Sequence, residues 1–234
     1  MNLNAVLALD TSTEQCSVAL KVGETIVTRA AVTPREHSQR ILGFVQEVLD
    51  EQNITLADLD ALVVGNGPGS FTGVRIGVSV AQGLAFSHTL PVIPVSTLTA
   101  LAQQAIRQHD AKAVISAIDA RMQEIYVAPF RNNNGMAEQL SPEQMAPLSD
   151  ITELAWWSDV AATDVVKGAG TGWQAYGEAL NPNQQVAVLD DVILPLAEDM
   201  LRWALVNGKA VDAADLEPLY VRNEVAWKKL PGRE

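Results

Sequence analysis

The chain has 234 residues, a net charge of −12, 48% apolar side chains and a single cysteine, Cys16. That length suits one large domain or two of about 100 residues. The acidic excess argues against an independent nucleic-acid binder, because phosphate contacts need clustered Lys and Arg, and one cysteine excludes an internal disulfide and a multi-cysteine metal site. No apolar run approaches the roughly 18 residues of a membrane helix. The start, Met1-Asn2-Leu3-Asn4, lacks a basic segment followed by a long apolar one, so a cytoplasmic chain without membrane contact is expected.

Residues 5–9 read as an apolar strand ending at Asp10-Thr11-Ser12-Thr13, and residues 16–22 and 25–31 as two more strands joined by Gly23-Glu24. Cys16 falls in such a strand and reads as core. Thr33-Pro34-Arg35-Glu36 has the spacing of a capping box, with Thr33 as N-cap and Pro34 at the first helical position. The helix that follows, to about residue 53, puts Ile41, Leu42, Val45, Val48 and Leu49 on one face. His37, at its start, is expected to serve local hydrogen bonding.

A strand over 61–64 then enters Gly65-Asn66-Gly67-Pro68-Gly69-Ser70-Phe71-Thr72-Gly73-Val74-Arg75-Ile76-Gly77, five glycines and a proline in thirteen residues. Glycine reaches φ > 0 and admits a close backbone, so the run reads as a tight strand-to-helix turn. Beyond it, Gly73, Gly77, Ala81 and Ala85 recur every four residues and form one nearly bare row on a helix. Each helical glycine costs roughly 1 kcal/mol relative to alanine. The row, with Gly83, is therefore read as a flat face for a partner's helix, the alternative being packing on its own sheet. Ser70 lacks the Gly-x-Ser-x-Gly setting of a nucleophile elbow, and no peptidase constellation is present.

A strand over 92–95 and a helix over 97–107 close a β-β-β-α-β-α-β-α half. A second half begins near Lys112. At an offset of 109, Ala8-Leu9-Asp10 aligns with Ala117-Ile118-Asp119 and Val18-Ala19 with Val127-Ala128, which suggests a duplicated α/β unit divided near residue 105. Residues 131–135 read as a hairpin loop, 148–157, 174–180 and 195–206 as helices, and 164–167 as a strand entering Gly168-Ala169-Gly170-Thr171-Gly172-Trp173. Asp119 and Arg121 are expected to pair internally. The basic cluster Arg222, Lys228, Lys229 and Arg233 is read as solvated or as a partner contact.

A strand, an Asp turn and a returning strand, repeated in two halves, resemble the acetate kinase/Hsp70/actin superfamily. Leu9-Asp10-Thr11-Ser12, Cys16-Ser17-Val18-Ala19-Leu20, Pro34-Arg35-Glu36-His37-Ser38, the glycine run, Ile118-Asp119-Ala120-Arg121 and the ending from Tyr220 to Lys229 resemble the TsaB (YeaZ) family over almost the whole chain. The resemblance implies two tandem actin-like (ASKHA, RNase H-like) α/β subdomains, 1–105 binding a partner and 106–234 with a tail packing back. It implies a non-catalytic role beside TsaD in transferring threonylcarbamoyl to the tRNA adenosine next to the anticodon. TsaE, an ATPase, would join the assembly, tRNA would be contacted only indirectly, and the chain alone would form a homodimer.

In the catalytic relative a His-x-x-x-His pair follows the fifth strand. Thr97 and Leu101 stand there here, so no metal site is expected. The expected partner interface is His37, Ile41, Val45, Arg75, Gly73, Gly77, Ala81 and Ala85. A residual nucleotide site would use Asp10, Thr11 and Ser12 in the first turn and Gly168, Gly170 and Gly172 about the adenosine, with ATP or ADP bound only at the partner interface. The alternative function is an autonomous ATPase or phosphotransferase built on Asp10.

Overall fold

The computed structural model describes residues 3–161 and 165–221. Its first half runs β1 (Ala5–Asp10), β2 (Gln15–Val22), β3 (Thr25–Val32), α1 (His37–Gln52), β4 (Ala61–Gly65), α2 (Phe71–His88), β5 (Val92–Val95) and α3 (Thr97–His109). The second runs β6 (Ala113–Arg121), β7 (Glu124–Asn133), β8 (Met136–Gln139), β9 (Gln144–Pro147), α4 (Trp157–Ala161), β10 (Val166–Ala169), α5 (Thr171–Leu180), β11 (Val186–Val188) and α6 (Ala197–Asn207).

The first sheet has the order β3-β2-β1-β4-β5 and the second β11-β10-β6-β7-β8, with β9 also on β7. In each, the first strand pairs antiparallel with its hairpin partner and parallel with the strand after the intervening helix. The 109-residue offset read from the sequence is therefore a real structural repeat. β1 and β4 are buried along their whole length, as unbroken apolar runs demand when helices cover both faces. β3, at the edge, alternates in exposure.

The halves exchange a helix. α3, which ends the first half, packs Leu98, Leu101, Ala105 and Ile106 with Val114, Ile118 and Phe130 of the second sheet. α6, which ends the second half, packs Ala197, Met200, Leu201 and Ala204 under Val6, Ala8 and Val63 of the first. A division at residue 105 thus cuts through α3.

Three local readings need correction. α1 starts at His37, with Glu36 as N-cap and no side-chain cap bond. Arg35 sits at φ 70, so no helix can run through it, and Thr33 instead accepts a turn bond from the Glu36 N–H at 3.1 Å. The helix expected over 148–157 is a 3-10 turn, Leu148–Glu153, followed by the short α4. α5 begins at Thr171, earlier than its apolar pattern indicates, and is kinked at Tyr176. The hairpin over 131–135 is present, with Asn134 at φ 53 and Gly135 at φ 85, the pair of left-handed residues a two-residue turn needs.

After α6 the described chain returns to the first half. Val211 bridges Val92 at the free edge of β5, and Ala213 and Leu216 enter the first-half core. The expectations for the basic cluster and the remainder of the tail, 222–234, lie outside the described residues.

Candidate functional site

The first-half aspartate turn and the glycine run meet. Gly69 lies so close over Ser12, and Gly73 over Thr11, that a Cβ on either would fall well inside contact with the carbonyl oxygen beneath. The Ser70 N–H donates to the Ser12 carbonyl at 2.8 Å, and the Thr11 hydroxyl donates to the Gly73 carbonyl at 2.7 Å. Ser70 also caps α2, its Oγ accepting from the Gly73 N–H. Glycine is required because two backbones touch.

This lid covers the first aspartate turn. Asp10, Thr11 and Ser12 have no solvent exposure. The Ser12 N–H donates to Asp10 Oδ1 at 3.1 Å, and Asp10 Oδ2 is buried without a partner. Burial pushes the Asp10 carboxyl up to about 6 against the hydrogen bonds from Ser12 and Thr11. Thr97, at the first expected histidine position, donates to Ser12 Oγ at 3.0 Å; Leu101, at the second, is core. Asp10 and Thr11, expected to take part in a residual nucleotide site, thus lie buried beneath the glycine backbone, while Ser12, though buried, stands at the wall of the cleft described below.

The second-half glycines are also structural. Gly168 faces the Trp173 ring, and Gly170 (φ 108) and Gly172 lie against Ala117 of β6. They let α5 approach its strand, which corrects their assignment to an adenosine pocket. The turn after Asp119 is open by contrast. Arg121, Met122 and Gln123 stand consecutively at φ 69, 55 and 63, and Arg121 pairs with Asp119 at 3.2 Å, as expected, and with Glu14 at 3.7 Å. Between this turn and α2 lies a cleft of about 930 Å³, lined among others by Thr13, Phe71, Arg75, Tyr126, Thr171 and Tyr220.

The bare row of α2 does not face outward. Gly73, Gly77, Ala81 and Ala85 are all buried, and a Cβ on Gly77 would stand 2.8 Å from Thr11 Oγ1. Their assignment to a partner interface is corrected: the row lets α2 lie against its own sheet. Ile41 and Val45 are core for the same reason. His37 is buried where α1 starts, beside Thr13 and Glu14; burial lowers its pKa, and Nδ1 has no hydrogen-bond partner. Arg75 alone of the expected interface reaches the surface region.

Among the described residues, α2 nevertheless keeps one face uncovered. At 100° per residue, Thr72, Ile76, Ser79, Gly83 and Phe86 share the side opposite the bare row. Thr72, Ser79, Gly83 and Phe86 are exposed, and Gly83 has nothing within 4 Å of its Cβ position. On α1, Leu42 and Gly43 are exposed as well, and nothing among the described residues lies within 4 Å of a Cβ at Gly43. Sequence reasoning noticed Gly83 as an odd helical glycine but attached it to the wrong face.

The family model of TsaD, tRNA N6-adenosine threonylcarbamoyltransferase, matches residues 24–191. The chain is 44% identical to the tRNA threonylcarbamoyladenosine biosynthesis protein TsaB of Escherichia coli (strain K12), covering 98% of this chain and 99% of that protein. It is 43% identical to TsaB of Haemophilus influenzae, covering 98% of each. Among solved structures, YeaZ from Pseudomonas aeruginosa matches with a TM-score of 0.84 and 41% identity over 93% of this chain and all of that one. The chain belongs to the TsaB (YeaZ) family.

Proposed function

We propose that this chain serves tRNA threonylcarbamoyladenosine biosynthesis as a non-catalytic partner of TsaD. The observation that carries the reading is the pairing of a sealed aspartate turn with an open helical face. The side chains of Asp10, Thr11 and Ser12 lie buried under the glycine backbone, which supports a chain that does not turn nucleotide over by itself. The exposed side of α1 and α2 offers Leu42, Ile76 and Phe86 around two flat spots, Gly43 and Gly83. Small residues there let another helix pair come close and gain contact over many atoms.

TsaD is the occupant because its family model matches most of this chain. A partner of the same fold presents the equivalent two helices, and the pair forms a four-helix contact of nearly twofold symmetry. The same surface gives a homodimer when TsaD is absent. TsaE would bind the resulting assembly, and ATP or ADP would bind only at the joint between partners. With a net charge of −12 the chain leaves tRNA contact to its partners.

The inter-half cleft favours a second reading, an autonomous ATPase. That enzyme needs Asp10 within reach of a metal-bound nucleotide, which the closed turn opposes. Reconstituting the modification with and without this chain tests both. The expected result is no transfer and no enzyme-like turnover of Mg-ATP by the chain alone, and stimulation of TsaD when it is added. Transfer by TsaD that ignores the chain, or fast ATP turnover by the chain, overturns the reading.

A further inference from the structure

The segment that leaves α6 has a buried root and a solvated tip. Val211 exchanges backbone bonds with Val92 at 2.8 and 3.0 Å, and Leu216 is core. Gln82 Nε2 donates to the Leu216 carbonyl at 3.0 Å. Asn66 then holds the strap twice: its Nδ2 donates to the Glu217 carbonyl at 3.3 Å, and its carbonyl accepts from the Leu219 N–H at 2.7 Å. Residues 218–221 form one wall of the cleft.

The tip is tied to α2 by one stack. The Arg75 guanidinium lies over the Phe71 ring, 3.3 Å from its centroid, and 5.2 Å from the centroid of Tyr220. It donates to the Phe71 carbonyl at 2.9 Å and to the Tyr220 hydroxyl. Yet Phe71 is 71% exposed and Tyr220 62%. By helical geometry Phe71, Arg75 and Gln82 share one flank of α2, between the buried row and the open face. The latch therefore borders the surface assigned above to the partner.

We propose that residues 217–221 are a gate on the inter-half cleft, latched by the Phe71–Arg75–Tyr220 stack, and that a protein docked on the open face of α2 covers the latch and holds the gate shut. The coupling rests on the docking reading. A cation over an aromatic face binds more strongly once water is removed, so covering the stack tightens it. Linkage then requires that opening the gate weaken docking by the same factor by which docking disfavours the open gate at equilibrium.

The test uses the full chain carrying Ile193→Cys. Ile193 is half-buried in the wall of the cleft. The native Cys16 is fully buried, with its thiol pushed up to about 12 by burial, so it stays silent to an aromatic disulfide reagent. Adding Tyr220→Ala or Arg75→Gln is expected to raise the labelling rate at 193 several-fold. Hydrogen exchange at the Leu219 amide should quicken likewise, with the Val92 and Val211 amides unchanged; Tyr220→Phe, which keeps the ring, should fall between. Adding TsaD should slow labelling and Leu219 exchange about fivefold, and Tyr220→Ala should weaken TsaD binding. Labelling and exchange indifferent to Tyr220→Ala overturn the latch. Faster labelling on adding TsaD overturns the direction of coupling. Failure of TsaD to bind at all overturns the docking reading and the coupling with it, while the free-chain variants still decide the latch.

Discussion

Both halves bring a helix N-terminus down on their first strand through glycine, but the landing points differ. In the second half Gly170 and Gly172 rest on Ala117, which the 109-residue repeat matches to Ala8. In the first half Gly73 rests on Thr11 and Gly69 on Ser12, three or four residues nearer the hairpin turn. That shift seals Asp10, Thr11 and Ser12, while Asp119 keeps partial access and Arg121 is exposed. One topology thus yields a closed turn and an open one.

Breaking the seal should have the largest effect. Gly73→Val drives a side chain into a backbone carbonyl that cannot move alone, so a loss of about 3 kcal/mol or more is expected in urea unfolding. Gly170→Val should cost a similar amount in the other half, with added strain from φ 108. A stable Gly73→Val chain would show that the two backbones do not touch as described.

Next is the aspartate that the seal buries. The Asp10 carboxyl is held at about 6, against 3.8 for an ordinary aspartate, with burial as the cause. Its folded form therefore binds the proton more tightly, and stability present below about pH 4 is lost as pH rises through about 6. Asp10→Asn is expected to stabilise the chain by about 2 kcal/mol at pH 7, with the gain vanishing near pH 4. Destabilisation at pH 7 would mean the carboxylate has a favourable partner there.

A smaller effect separates the two faces of α2. Gly83→Leu enters open space, so the melting temperature should hold or rise, because leucine is the better helix former by somewhat under 1 kcal/mol. TsaD binding should fall about tenfold, roughly 1.4 kcal/mol, by titration calorimetry. Unchanged binding would remove this face from the interface. Gly77→Leu is the contrast: with Thr11 Oγ1 2.8 Å from its Cβ position, it should unfold the chain rather than spare it. The smallest change addresses the open turn. Gln123→Gly relieves one of three consecutive left-handed residues and should raise stability by about 0.5–1 kcal/mol in thermal unfolding, whereas the same exchange in a regular strand would lower it.

The repeat, the β-β-β-α-β-α-β-α order, the glycine turn and the family were all legible in the amino-acid sequence. Each depends on local periodicity, turn chemistry or motifs that persist along the chain. The Arg75–Tyr220 stack was not, since 145 positions separate its members and nothing local pairs them. Nor was the start of α1, where the positive φ of Arg35 overrides a well-spaced capping box.

The sequence by itself determined that α2 carries a bare row, because four small residues four apart can only form one. Whether that row met a foreign helix or its own sheet was decided by tertiary structure alone. A missing Cβ permits close approach without naming what approaches, and only the distance from Gly73 and Gly77 to Thr11 identifies the neighbour. The sealing of Asp10 follows from that same distance.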